Sequence, residues 1–206
     1  MGYSTDFEGA LTLSKLLTAK QFEFINKFSA TRRMKRDVQR LMDNYKGKAG
    51  FPGRTVKKNT PEEIYGVDGA FFVGDSKMDG SVIDNNCPPG QKPYSERNKD
   101  FNISYKEQRD LIDSGKCQPG LWCQWVVQSN EDDVEGQQLE WDGDEKFYEY
   151  IAWLKYLITN FFEPWNVKLN GEIEWFGESN DDRGKIVVTD NVVEVYDGNI
   201  VYTKAK

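Results

Sequence analysis

"DEKFYEYIAWLKYLITNFFEPWNVKLNGEIEWFGE", residues 144–178, changes its period halfway along. Phe147, Ile151, Leu154, Ile158 and Phe161 recur at helical spacing, so 144–162 reads as one amphipathic helix. Asp144 and Glu145 fall in its first turn, where the helix dipole favours negative charge. Glu163-Pro164 stops it, because a residue before proline is pushed out of the helical region. The chain beyond Pro164 reads as strand: "VKLNGEIEWFGE" (167–178), "KIVVTD" (185–190), "VVEVYDG" (192–198) and "NIVYTK" (199–204). Turn residues at Asp181 to Gly184, Asp190-Asn191 and Gly198-Asn199 separate them, which is the pattern of an antiparallel meander.

Upstream, "LWCQWVVQ" (121–128) and "QLEWDG" (138–143) read as a hairpin around the acidic loop "SNEDDVEGQ" (129–137). At the N-terminus "DFEGALTL" (6–13) reads as a strand with Phe7, Gly9, Leu11 and Leu13 on one side. A helix comes next, with Thr18 and Gln21 forming a capping-box pair before Phe22, Ile25 and Phe28. Past Ser29 to Thr31 the apolar positions become Met34, Val38 and Leu41, whose face points roughly 120–150° away from the first. One straight helix cannot bury both faces, so the reading is a kinked helix pair with Thr31 capping the second member. The fold class expected is α+β: an antiparallel sheet packed by the long C-terminal helix and the N-terminal helix pair. One domain over 1–206 is expected, with a loop-rich excursion at about 46–118, where "GAFFVGD" (69–75) and "GSVID" (80–84) are short candidate strands and "SYKEQRDLID" (104–113) a short helix.

Charge is segregated along the chain. Residues 1–60 hold 13 Lys/Arg against 5 Asp/Glu, whereas 121–200 hold 5 against 18, within a net charge of −7. Such asymmetry points to an interaction surface. Its basic pole is "FSATRRMKRDVQRL" (28–41): on a helix Arg32, Arg33, Arg36 and Arg40 fall within about a 100° arc opposite Met34, Val38 and Leu41. Guanidinium forks bind phosphate oxygens bidentately, so the stripe suits nucleic acid, a nucleotide or an anionic protein, with Lys48, Arg54, Lys57 and Lys58 of the next loop extending it. The alternative is that the arginines pair internally with the acidic C-terminal third. Trp122 and Trp125 have opposite strand parity, so one suits the core and the other a stacking platform.

Catalytic chemistry has little to build on. There is no histidine, which removes the usual general base and every Ser-His or Cys-His arrangement. The three cysteines, Cys87, Cys117 and Cys123, have no C-x-x-C spacing, so neither a zinc site nor any other cofactor is expected. "GKAGFPGRT" (47–55) fails as a phosphate loop, with Lys48 where the first glycine belongs and Arg54 in place of the lysine. Asp142, Asp144 and Glu145, and Asp181 to Arg183, are explained by capping and turn chemistry, although a divalent-cation hydrolase could use such carboxylates. No apolar run approaches the roughly 20 residues that span a bilayer. The N-terminus lacks a signal-peptide pattern, so a cytoplasmic protein is expected.

"GYSTDFEG" (2–9), "FSATRRMKRD" (28–37), "PGLWCQW" (119–125), "LEWDGDEKFYEYIAWLKYLI" (139–158) and "LNGEIEWFGESNDDRGKIVV" (169–188) carry a resemblance to a family of small accessory proteins of tailed phages and prophage-bearing bacteria. The resemblance implies an accessory protein that acts by binding, to a host defence or regulatory component or to nucleic acid, in the host cytoplasm. An acidic decoy that mimics nucleic acid toward a basic host protein is the alternative. Neither reading names an oligomeric state.

Overall fold

A computed structural model describes residues 2–52, 58–74, 79–93, 101–129 and 137–199, with only the backbone at 101–105. Among these residues the chain forms five α-helices and eight strands, a mixed α+β architecture with antiparallel sheets. It divides into two compact units. The sheet unit comprises Met1–Leu16, Gln124–Tyr148 and Val167–Lys206; the helical unit comprises Leu17–Cys123 and Glu149–Asn166.

The sheet unit holds six antiparallel strands: β1 (Thr5–Leu13), β4 (Trp125–Ser129), β5 (Gln137–Trp141), β6 (Leu169–Gly177), β7 (Arg183–Thr189) and β8 (Val192–Asp197), in the order β4-β5-β1-β6-β7-β8. Alternation sets its faces. Phe7, Leu11, Val127, Leu139, Ile173, Trp175, Ile186 and Val188 are buried, while Glu8, Thr12, Glu172, Glu174 and Glu194 between them are exposed. At one end Trp125, Phe7 and Phe147 meet edge to face, with ring centroids 5.2–5.9 Å apart. Gly9 and Gly171 let β1 and β6 approach closely: both have positive φ, and a Cβ on either would lie about 2.5 Å from a carbonyl oxygen of the facing strand. Asp190 and Asn191 take the two left-handed positions of the β7–β8 turn, as the sequence indicates. The candidate strand over 199–204 and the acidic loop lie, apart from Asn199, Ser129 and Gln137, outside the described residues.

The helical unit holds α1 (Ala19–Ala30), α2 (Val38–Tyr45), α3 (Pro61–Tyr65), α4 (Phe101–Asp113), α5 (Tyr150–Leu157) and a two-stranded ribbon of β2 (Lys35–Arg36) with β3 (Val82–Asp84). The capping box at α1 forms as read: the Gln21 amide donates to Thr18 Oγ1, and the Gln21 side chain accepts from the Thr18 amide. Leu41, Tyr65 and Phe72 make one buried cluster. Phe24, Phe28, Phe51, Phe161 and Trp165 make an aromatic one, with Phe51 stacked on Trp165 at 5.3 Å. Among the described residues no helix is long and apolar enough to cross a membrane.

Three expectations change. The helix expected over 144–162 begins only at Tyr150, because Lys146 and Glu149 sit at positive φ and Asp142 Oδ1 accepts the Asp144 amide in a turn. Phe147 then joins the Phe7–Trp125 cluster instead of a helix face. The helix continues past Leu157 as a wider π turn over Ile158–Phe162. The strand expected from Leu121 begins at Trp125. "GAFFVGD" is no strand over its described part; Phe72 and Val73 are buried after a short helical turn at Val67–Gly69.

Candidate functional site

Asp37 decides where the basic segment goes. Its Oδ1 accepts the amides of Gln39 and Arg40 at 2.9 and 3.1 Å, so α2 starts at Val38 and the residues before it are extended. The arginine-bearing helix therefore does not form, and Thr31 caps the end of α1 instead of a second helix. The amides of Arg33, Lys35 and Asp37 donate in turn to the carbonyls of Leu121, Cys87 and Ser81. Strict alternation would send Arg33 and Arg36 to opposite sides, but the β2–β3 register shifts between Lys35 and Arg36, and both side chains are buried.

Arg33 is 2% exposed. Its Nε donates to Gln118 Oε1 at 3.2 Å, Nη1 to Phe72 O at 2.8 Å and Nη2 to Ala70 O at 2.9 Å. The guanidinium lies 4.1 Å from the Phe28 ring centre. None of these partners is a carboxylate, and burial pushes its pKa down to about 10. Gln118 completes the network by donating through Nε2 to Ala70 O and to Tyr156 Oη. Burial pushes the Tyr156 hydroxyl up to about 12.

Arg36 is 3% exposed and donates to both Asp79 carboxylate oxygens at 3.3 Å and to Ser81 Oγ at 2.9 Å. Burial alone would raise the Asp79 pKa. The Ser81 hydroxyl and amide, the Tyr45 hydroxyl and Arg36 outweigh it and hold the carboxyl below its ordinary range. Arg32 reaches Asn85 O and Asn86 Oδ1, and Lys35 pairs with Asp68 at 3.2 Å. Arg40, on α2, donates to Gly80 O at 2.8 Å and lies 3.7 Å from Asp37. The four arginines thus serve the helical unit itself; Asp79 and Asp37 are their acidic partners, and the acidic C-terminal third supplies none of those contacts.

The other expected site residues scatter. Arg54 and Lys57 lie outside the described residues, and Lys58 is exposed, its amide donating to Glu63 Oε2. Trp122 is 46% exposed in the segment before β4, while Trp125 is fully buried against Phe7 and Phe147 and offers no stacking surface.

What the helical unit presents to solvent is a different basic feature. A half-open groove of about 850 Å³ runs beside α1, between the loop segment 48–52 and the Val73-Gly74 segment. Lys20, Glu23 and Lys27 contribute from successive turns of α1, and Lys48 from the loop. Phe24, Pro52 and Val73 supply apolar surface. Lys27 is committed to Glu23 at 2.6 Å, which holds that carboxyl below its usual range. Lys20 and Lys48 are exposed, and among the described residues neither ammonium has a carboxylate partner.

The walls are fixed from within. Tyr65 Oη donates to Lys48 O at 2.9 Å, the Val73 amide donates to Ala49 O at 3.0 Å, and the Gly74 amide donates to Thr31 Oγ1 at 3.1 Å. Trp165 Nε1 donates to Pro52 O at 2.9 Å. Sequence reasoning passed over Lys20 and Lys27, and took Lys48 only as an extension of the arginine stripe. The spacing of Lys20 and Lys27 at i and i+7 on α1, together with the "GKAGFPG" loop, was the signal that could have found them.

Among the described residues no three His, Cys, Asp or Glu side chains converge to hold a metal ion, and the three cysteines are buried and form no disulfide. Compared with protein-family models, curated proteins and solved structures, the chain has no match in any of the three.

Proposed function

We propose that this chain acts by binding, as a phage-type accessory protein, and that it engages an anionic ligand of the nucleic-acid or nucleotide class at the lysine groove of the helical unit. The observation that carries the reading is the pairing of two uncommitted ammonium groups, Lys20 and Lys48, with an apolar floor in a groove whose walls are already hydrogen-bonded. Apolar surface with a few placed charges is the composition of small-ligand sites. The charge-reversed Lys20→Glu/Lys48→Glu chain, titrated with nucleotides and oligonucleotides by calorimetry, tests it. Unchanged binding of every anion would remove the groove as the site.

A second reading rests on the other unit. The sheet unit carries 18 Asp/Glu against 7 Lys/Arg and the helical unit 16 against 20. The exposed face of the sheet presents Glu8, Glu172, Glu174 and Glu194. Such a face supports a decoy that mimics nucleic acid toward a basic host protein. Pull-downs from nuclease-treated host extract test it: recovery of no nucleic-acid-binding protein would sink the decoy.

A further inference from the structure

Resting on the lysine-groove reading, we infer that the groove takes a small phosphorylated ligand of nucleoside mono- or diphosphate size, held by its phosphate and read only weakly at its base. Three observations converge on this. The first is size: about 850 Å³ lies within the range of roughly 300–1,000 Å³ typical of small-molecule sites.

The second is charge. With Lys27 neutralised by Glu23, the groove has two uncommitted cations, Lys20 and Lys48, which match one phosphate group of about −1.5 to −2 charge. A polymer would need a track, since each phosphate neutralised requires its own cation. Among the described residues the arginine stripe cannot extend one, because its cations are engaged elsewhere in the helical unit. Arg33 and Arg36 are buried, Arg32 is on Asn85 and Asn86, Lys35 is on Asp68, and Arg40 is on Gly80.

The third is the neutral lining. Thr31 is the one hydroxyl residue lining the groove among the described residues, and its Oγ1 already donates to Lys27 O at 2.6 Å and accepts from Gly74. Phe24, Ala30, Ala49, Pro52 and Val73 can receive a flat base by shape but have no side-chain group to read its hydrogen-bonding edge. Base identity therefore changes affinity little, whereas removal of the phosphate changes it much.

The test is calorimetric titration of the full chain with AMP, ADP, GMP, CMP, adenosine, inorganic phosphate and a single-stranded 12-mer, at two salt concentrations. The expected result is saturable one-to-one binding of the nucleotides within a few-fold of one another, with adenosine and inorganic phosphate each at least about tenfold weaker. Lys48→Gln and Lys20→Gln each weaken AMP by about tenfold, since hydrogen bonds to charged groups are of that size, while Lys27→Gln changes it by less than about threefold. All three lysines are exposed, so circular dichroism should show these variants folded. Binding of the 12-mer without AMP overturns the small-ligand inference and leaves the anion groove standing. Inorganic phosphate binding as tightly as AMP overturns the role of the apolar floor. No binding of any anion overturns both.

Discussion

The two units of this chain treat charge in opposite ways. The sheet unit is strongly acidic, and strand alternation sends Glu8, Glu172, Glu174 and Glu194 to its exposed face. The helical unit is mildly basic and takes two of its cations inside, Arg33 without any carboxylate and Arg36 with Asp79. The acidic strand positions of one unit therefore become surface charge, whereas the arginine stripe of the other does so only in part. The difference lies in what a side chain can satisfy. A guanidinium has five donors and can be buried on carbonyl oxygens and an aromatic face, as Arg33 is on Ala70, Phe72 and Phe28. A carboxylate accepts only, and a buried one needs a dense set of donors such as Asp79 has gathered.

If that contrast is right, the largest effect comes from Arg33. Arg33→Ala removes three buried hydrogen bonds and leaves Phe72 O and Gln118 Oε1 without that donor, so a loss of about 3–5 kcal/mol in urea unfolding is expected. Arg33→Lys should recover little of it, because an ammonium cannot span three acceptors set for a planar fork. Arg40→Ala, on an exposed side chain of the same segment, should stay within about 0.5 kcal/mol. Equal losses at Arg33 and Arg40 would break the contrast.

Next comes Asp79. Asp79→Asn removes the charge facing Arg36 and should cost about 1.5–3 kcal/mol at neutral pH. The sign of its pH dependence is set by the lowered pKa of the folded state. The contribution is present above the unfolded carboxylate range and is lost as pH falls through the folded value, so the wild-type stability curve should steepen below about pH 4 and the Asn variant's should be flatter there. Tyr156 acts at the other end of the scale. Its folded pKa, pushed up by burial to about 12 from 10.0, means that its contribution is whole below pH 10 and is lost as pH rises toward 12. Tyr156→Phe should remove a component on the order of 2 kcal/mol from that alkaline limb, measured by unfolding between pH 9 and 12. An unchanged limb would mean that the phenol is not sequestered.

Much of the sheet unit was legible because its cues are local. The alternation through Phe7 and Leu11, the Asp190-Asn191 turn and the Trp125 to Trp141 hairpin each state their geometry within a few residues. The Thr18 capping box was legible for the same reason. The basic segment was not. Its helical spacing is genuine as a pattern, but Asp37 captures the Gln39 and Arg40 amides, and acceptors distant in sequence, from Ala70 to Gln118, draw the arginines inward. The start of α5 misled in the same way, since Phe147 has the right spacing for a helix face and better partners in Phe7 and Trp125. The groove was half legible. Its lysines stand in plain view on α1, but their nearness to Lys48 depends on how the 46–52 loop is clamped by Tyr65 and Val73.

The smallest effect sharpens the other side of the contrast. In the β1–β6 register Glu8 lies directly opposite Glu174, two like charges on an exposed face. Directly opposed like charges destabilise a strand pair, and opposite charges stabilise one, by about 0.2–1 kcal/mol. Glu174 also lies opposite Lys185 of β7, which pairs with Glu172 at 2.9 Å and attracts Glu174 more weakly, leaving Glu8 as the less compensated member. Glu8→Lys should therefore raise stability by a few tenths of a kcal/mol up to about 1. The gain should shrink with added salt because the pair is exposed. A loss of stability on this change, persisting at high salt, would show that Glu8 meets something more specific than solvent. Under the decoy reading the same substitution should weaken a basic partner while stabilising the fold, and that opposition of sign would separate a face shaped by binding from one that is merely solvated.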